Sequence, residues 1–131
     1  MSLPPPDFGK GFDNEIGVTY LEVTADEGRA RLDIHDKLLQ PWGIVHGGVY
    51  TSAIESAASV GATTAVRDRG MVAVGLTNTT HFLRSVSAGR AEVEAIALHQ
   101  GRTQQLWRVD VRDEVGRLLA HGEVRLQNVT P

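Results

Sequence analysis

GGVYTSAIESAASVGATTAV, from Gly47 to Val66, carries one charged residue, Glu55. The rest is small or apolar, with no polar stripe. A helix of that kind is buried on most of its sides. Its small side chains let a sheet approach closely. His46 precedes the stretch, and Arg67-Asp68-Arg69-Gly70 ends it. Basic charge suits a helix C-terminus, and glycine suits the stop. A lone carboxylate in a buried helix is costly unless something satisfies or uses it. Glu55 is therefore the first candidate for chemistry.

The flanks of this helix read as strands. Val18 and Tyr20 lie on one side, Leu21 and Val23 on the other, and Ala30, Leu32 and Ile34 alternate with Arg29, Arg31 and Asp33. Asp26-Glu27-Gly28 is the expected hairpin turn between them. A short helical turn is expected at Phe12 to Ile16, and a loop over 35–45, which holds Pro41 and Gly43. Four strands are expected after the helix, at about 71–83, 90–99, 104–112 and 117–126. In the third, Trp107, Val109 and Val111 alternate with charged residues. In the fourth, Leu118, Ala120, Val124 and Leu126 share a face. Turns at Ser87-Ala88-Gly89, Gln100-Gly101 and Glu114-Val115-Gly116 are short, which favours antiparallel hairpins. The order β-β-α-β-β-β-β predicts an α+β fold, an antiparallel sheet wrapped around one long central helix. This is the hotdog arrangement. Residues 1–11, with three consecutive prolines, read as an irregular arm, and 12–131 as one domain.

Composition narrows the function. The chain has 131 residues, 41% hydrophobic and 22% charged, ordinary values for a globular domain. A net charge of −3 argues against non-specific nucleic-acid binding. The absence of cysteine excludes disulfides and thiolate chemistry. The five histidines show no metal-ligand spacing, so no metal and no cofactor is expected. There is no Walker, Rossmann or Gly-x-Ser-x-Gly pattern. No signal peptide or membrane span is visible, so a cytoplasmic location is the default expectation.

Three segments carry a resemblance. They are Gln40-Pro41-Trp42-Gly43-Ile44-Val45-His46-Gly47-Gly48 with Glu55, then Asn78-Thr79-Thr80-His81-Phe82-Leu83-Arg84-Ser85, and Gly101-Arg102-Thr103-Gln104-Gln105-Leu106-Trp107. Together they resemble hotdog-fold acyl-CoA thioesterases of the phenylacetate-degradation and 4-hydroxybenzoyl-CoA thioesterase type. Within that type they look like the actinobacterial 1,4-dihydroxy-2-naphthoyl-CoA thioesterase group. HGG with an acid nine residues after the histidine, inside a small-residue helix, is the specific part.

The resemblance implies hydrolysis of an aromatic acyl-CoA thioester to free acid and CoA. Glu55 matches the catalytic carboxylate, acting as nucleophile or as base for water. Gly47 matches the helix-start amide that polarises the carbonyl, and free N–H groups with a positive dipole suit that role. Gly48 lets the ligand approach the backbone. Gln40 matches a side-chain amide that assists at the carbonyl. Ser59, four residues after Glu55, lies on the same helix face and matches a positioning hydroxyl. His46 reads as an orienting residue at the helix start rather than a proton carrier. Arg84 matches a basic contact to the CoA nucleotide, and Arg102 with Thr103 matches a turn that touches CoA, the arginine being a departure from the hydroxyl residues usual there. Each has a plain structural alternative: a paired buried acid, a tight turn, a packing serine, a solvated arginine. The resemblance also implies a homodimer or homotetramer with sites at the subunit interface. The rival functions are a non-catalytic acyl-CoA-binding module and a hotdog hydratase or dehydratase.

Overall fold

A computed structural model describes Asp7 and residues 10–131. The expected arm over 1–11 therefore lies largely outside the described residues. The chain begins with a short helix, α1 (Phe12–Ile16), stopped by Gly17 at φ 91°. Strands β1 (Val18–Val23) and β2 (Glu27–Ile34) follow. Then come a 3-10 turn at Asp36–Leu38 and the long helix α2 (Gly47–Val66). Strands β3 (Val72–Phe82), β4 (Gly89–Gln100), β5 (Gln104–Arg112) and β6 (Leu118–Val129) complete the fold. All six strands form one antiparallel sheet in the order β1-β2-β4-β5-β6-β3. Helix α2 packs against every one of them. This is the hotdog fold that the element order predicts.

The helix meets the sheet through its small side chains. Ala53, Ile54, Ala58 and Ala62 are fully buried, as are Trp107, Val109, Val124 and Leu126 on the sheet. Gly61 sits directly over Trp107, where an added Cβ would lie 2.6 Å from the indole. Burying Trp107 requires a partner for its N–H, and Gln105 Oε1 accepts it at 2.9 Å. Gln105 in turn donates to Ala62 O at 3.0 Å and to Asn128 Oδ1 at 2.8 Å. Alternation alone does not mark this buried polar network, because two of its members are amides on an otherwise apolar face.

The structure differs from the sequence reading in four places. The first hairpin turn spans 24–26, not Asp26-Glu27-Gly28, because Thr24 accepts the Glu27 N–H on its hydroxyl at 3.1 Å and closes the loop early. A β-bulge shifts the phase of β1: Tyr20 pairs with Ala30, Glu22 with Arg29 and Val23 with Gly28, leaving Leu21 unpaired, so Val23 returns to the side of Tyr20 instead of sharing that of Leu21. Strand β6 continues to Val129, because Asn128 stays paired with Ala73 and caps the Thr103 turn. Finally, β3 and β4 do not form a hairpin. Strand β3 pairs with β6 and is an edge of the sheet, and residues 83–88 carry the chain back to β4. Curling around one helix brings these two strand ends close enough for so short a connection. Among the described residues no helix is long and apolar enough to cross a membrane.

Candidate active site

His46 caps α2. Its Nδ1 accepts the Gly48 N–H at 2.8 Å, so the proton of the neutral ring sits on Nε2. This occupies Gly48's amide, which leaves Gly47 as the helix-start donor. The Gly47 N–H has no acceptor among the described residues. An added Cβ at Gly47 would lie 3.0–3.2 Å from the Phe82 ring, so glycine here keeps the helix start close to the end of β3.

Gln40 lies in the tight turn before the helix, where Gly43 takes φ 84° and donates to Gln40 O at 2.9 Å. The Gln40 side-chain oxygen accepts the Trp42 N–H. An N–H facing it identifies that atom as oxygen, so both Nε2 hydrogens are left for another acceptor. Gln40 and Gly47 line a cleft of about 320 Å³ together with Tyr50, Phe82, Leu83 and Arg84. The Tyr50 hydroxyl is buried without a hydrogen-bond partner among the described residues, and burial raises its pKa. Trp42, on the turn above, is 84% exposed.

Glu55 lies outside this cleft, two turns further along α2. It is half-buried in the single chain, not enclosed as the sequence suggests, because it faces the free edge strand β3. Ser59 Oγ donates to its Oε2 at 3.3 Å. Asn78 Nδ2 donates to its Oε1 at 3.2 Å. Gly75 packs against the carboxylate so closely that a Cβ would stand 2.3 Å from Oε2. Sequence reasoning assigned no role to Asn78 or Gly75. A β-bulge at Leu76 is the reason: Gly75 pairs with Leu126 and Thr77 with Arg125. The extra residue shifts the alternation, so Asn78 and Thr80 face the helix instead of Thr77 and Thr79. On the other flank, Ser56 donates to Asp13 Oδ1 at 2.6 Å and Tyr20 to Oδ2 at 2.8 Å, which ties α1 to the helix. Burial first, then the Asp13 carboxylate, raises the Tyr20 pKa well above its ordinary value.

The remaining candidates are dispersed. Gly47 and Glu55 are separated by about 12 Å of helix rise. Arg84 is exposed just past the end of β3. Arg102 and Thr103 lie in the β4–β5 turn, where Thr103 O accepts from Asn128 N, beside the start of β3. Strand β3 separates these two groups by roughly 30 Å. The single chain therefore brings together Gln40, Gly47 and Arg84, and separately Glu55 and Ser59. The edge of β3 between them is open, with Val74 at 43%, Leu76 at 49% and Phe82 at 57% exposure and a polar run from Thr77 to His81 in between.

Comparison with known proteins places the chain. The profile of the Thioesterase superfamily matches residues 43–120. The "Putative esterase Rv1847" of Mycobacterium tuberculosis is 47% identical over 120 residues, which cover 90% of this chain and 86% of that protein. Its solved structure superposes with a TM-score of 0.88, covering 91% of this chain and 96% of that one. The "1,4-dihydroxy-2-naphthoyl-CoA hydrolase" of Listeria monocytogenes is 33% identical over 109 residues, 83% of this chain and 88% of that one. AziG of S. sahachiroi is 37% identical with a TM-score of 0.89, covering 93% of this chain and 98% of that one.

Proposed function

The chain belongs to the thioesterase superfamily and is a thioester hydrolase of the hotdog fold, and from that premise we propose that it cleaves an aromatic acyl-CoA at a site shared between two protomers. The observation that carries this reading is the split of the machinery. Glu55 and the Gly47 amide lie on one helix, about 12 Å apart, too far to act on one carbonyl. The midpoint between them is Thr51, whose carbonyl accepts from Asn78 at 3.1 Å, close to the middle of β3. Antiparallel pairing of two β3 edges about their middle would set the Glu55 of one protomer opposite the Gly47 of the other. It would also bring the Arg84 end of one β3 towards the Arg102 turn of the second chain. An open strand edge is a feature proteins cover, which supports the same pairing.

In this arrangement the thioester carbonyl oxygen accepts from the Gly47 N–H, assisted by Gln40 Nε2. Negative charge that develops there meets a fixed donor and the positive end of the helix. Glu55 either attacks the carbonyl carbon, giving an anhydride that water then opens, or takes a proton from the attacking water. Both routes need an ionised carboxylate at about 3–3.5 Å from its target. The tetrahedral species collapses with release of the CoA sulfur as a thiolate. Ser59 holds the second carboxylate oxygen. Arg84, with Arg102 and Thr103 of the other chain, supplies the cation and hydroxyl contacts a CoA nucleotide needs.

The aromatic acyl class is supported by the Listeria relative's name and by Phe82, Leu83 and Tyr50 around the cleft. The test is thiol release from naphthoyl-, benzoyl-, phenylacetyl- and palmitoyl-CoA. The expected order puts the aryl thioesters first in kcat/KM, and a clear palmitoyl preference would overturn the substrate assignment.

A further inference from the structure

Glu55 is held by one neutral side chain from outside its own helix, and that side chain is itself locked. We propose that Asn78 is a positioning residue for the reaction: its amide, fixed by the Thr51 carbonyl and the Thr80 hydroxyl, aims the Glu55 carboxylate out over the free edge of β3. The inference rests on Glu55 being the reacting group.

The orientation of the amide is determined by its surroundings. Thr51 O can only accept, so the atom 3.1 Å from it must be Nδ2. The Thr80 hydroxyl, which can donate or accept, donates to Oδ1 at 2.7 Å in that orientation. One Nδ2 hydrogen goes to Thr51 O and the other to Glu55 Oε1 at 3.2 Å. Both amide ends are thus committed, and the amide cannot turn without breaking three hydrogen bonds. On the opposite side Gly75 has no side chain, and the carboxylate occupies that space. The bulge at Leu76 brings both residues to the helix-facing side.

Among the described residues Glu55 has one other hydrogen-bond partner, the Ser59 hydroxyl on its own helix, which donates to Oε2. Among the described residues the ion pairs lie elsewhere, at α1's approach, on β1, β2, β4, β5 and β6, and in the β5–β6 turn. None of the strands packed on α2 presents a cation within ion-pair reach of Glu55. Asn78 therefore fixes where the carboxylate points.

The test is the split between kcat and KM for Asn78→Ala, Asn78→Asp and Thr80→Val, beside Glu55→Gln, with thermal unfolding and binding of a non-hydrolysable CoA thioether measured alongside. Removing the donor should lower kcat about tenfold while KM and thioether binding stay close to wild type. Asn78→Asp, which sets a second carboxylate against Glu55, should lower kcat further. Thr80→Val keeps the shape of an edge-strand residue that folds readily, and should lower kcat in the same way by less. If Asn78 only ties β3 to the helix, Asn78→Ala lowers Tm while kcat stays in place, and the proposal is wrong. If Glu55→Gln turns over normally, the failure lies in the choice of reacting group. If Glu55→Gln is inactive and kcat of the Asn78 and Thr80 variants does not move, only the positioning role fails.

Discussion

Replacing Gly75 with alanine should separate activity from stability. The backbone there is ordinary strand, outside the left-handed region. The new Cβ would stand 2.3 Å from Glu55 Oε2, where ordinary contact begins near 3.4 Å. The carboxylate oxygen must therefore retreat by about 1 Å. It is the end of a flexible side chain, so the retreat costs only a rotamer distortion of about 0.5–1.5 kcal/mol. Losing a glycine from the unfolded chain returns about 0.4–1 kcal/mol. The net change in stability should be near zero. Catalysis is far less tolerant, since a misplacement of about 1 Å can cost about 10²-fold, or about 2.7 kcal/mol of barrier. Thiol-release kinetics should show kcat down by that factor. Thermal unfolding and binding of a non-hydrolysable CoA thioether should be close to wild type. Adding Glu55→Asp withdraws the carboxylate by one methylene and should restore part of the rate, a coupling that a double-mutant cycle measures. Wild-type kcat in a folded Gly75→Ala protein would refute the reasoning.

Other expectations follow from the same geometry. Gly61→Ala drives a Cβ to 2.6 Å from the fully buried Trp107 ring, and overpacking should destabilise by about 1–3 kcal/mol in urea unfolding. Arg84→Ala and Arg102→Ala should each raise KM about tenfold with kcat little changed, the pattern of a lost charge-assisted contact. If neither moves KM, both residues leave the CoA site. Sedimentation at micromolar concentration should show a dimer or larger assembly, and a fully active monomer would exclude a shared site.

Much of this was legible in the residues. The small-residue run from Gly47 marks the helix because no other burial pattern tolerates so few polar side chains. Strand β5 keeps strict alternation, so its bounds and its buried Trp107, Val109 and Val111 were readable. Ser59 was placed by helix spacing, and it does reach Glu55. What escaped was long-range or phase-shifted. The bulges at Leu21 and Leu76 change which side chains face inward, and hydropathy carries no sign of an inserted residue. Asn78 therefore entered the sequence reading only within the segment to Ser85 that carries the resemblance. The crossing of β3 to the far edge also escaped, because a short connection looks the same whether or not its strands pair. Gln105 and Asn128 are buried amides whose only signal is the network they share.

The central claim is that the Glu55 carboxylate does the chemistry. Glu55→Gln keeps size and hydrogen-bonding capacity, since the new amide oxygen can still accept from Asn78. It removes the nucleophile or base. Turnover of an aryl-CoA should fall by at least about 10²-fold, while a non-hydrolysable CoA analogue binds as before. If Glu55 were only a structural acid, the neutral amide would relieve its desolvation cost and the enzyme would keep working. A folded, CoA-binding Glu55→Gln protein that hydrolyses thioester near the wild-type rate would contradict the account.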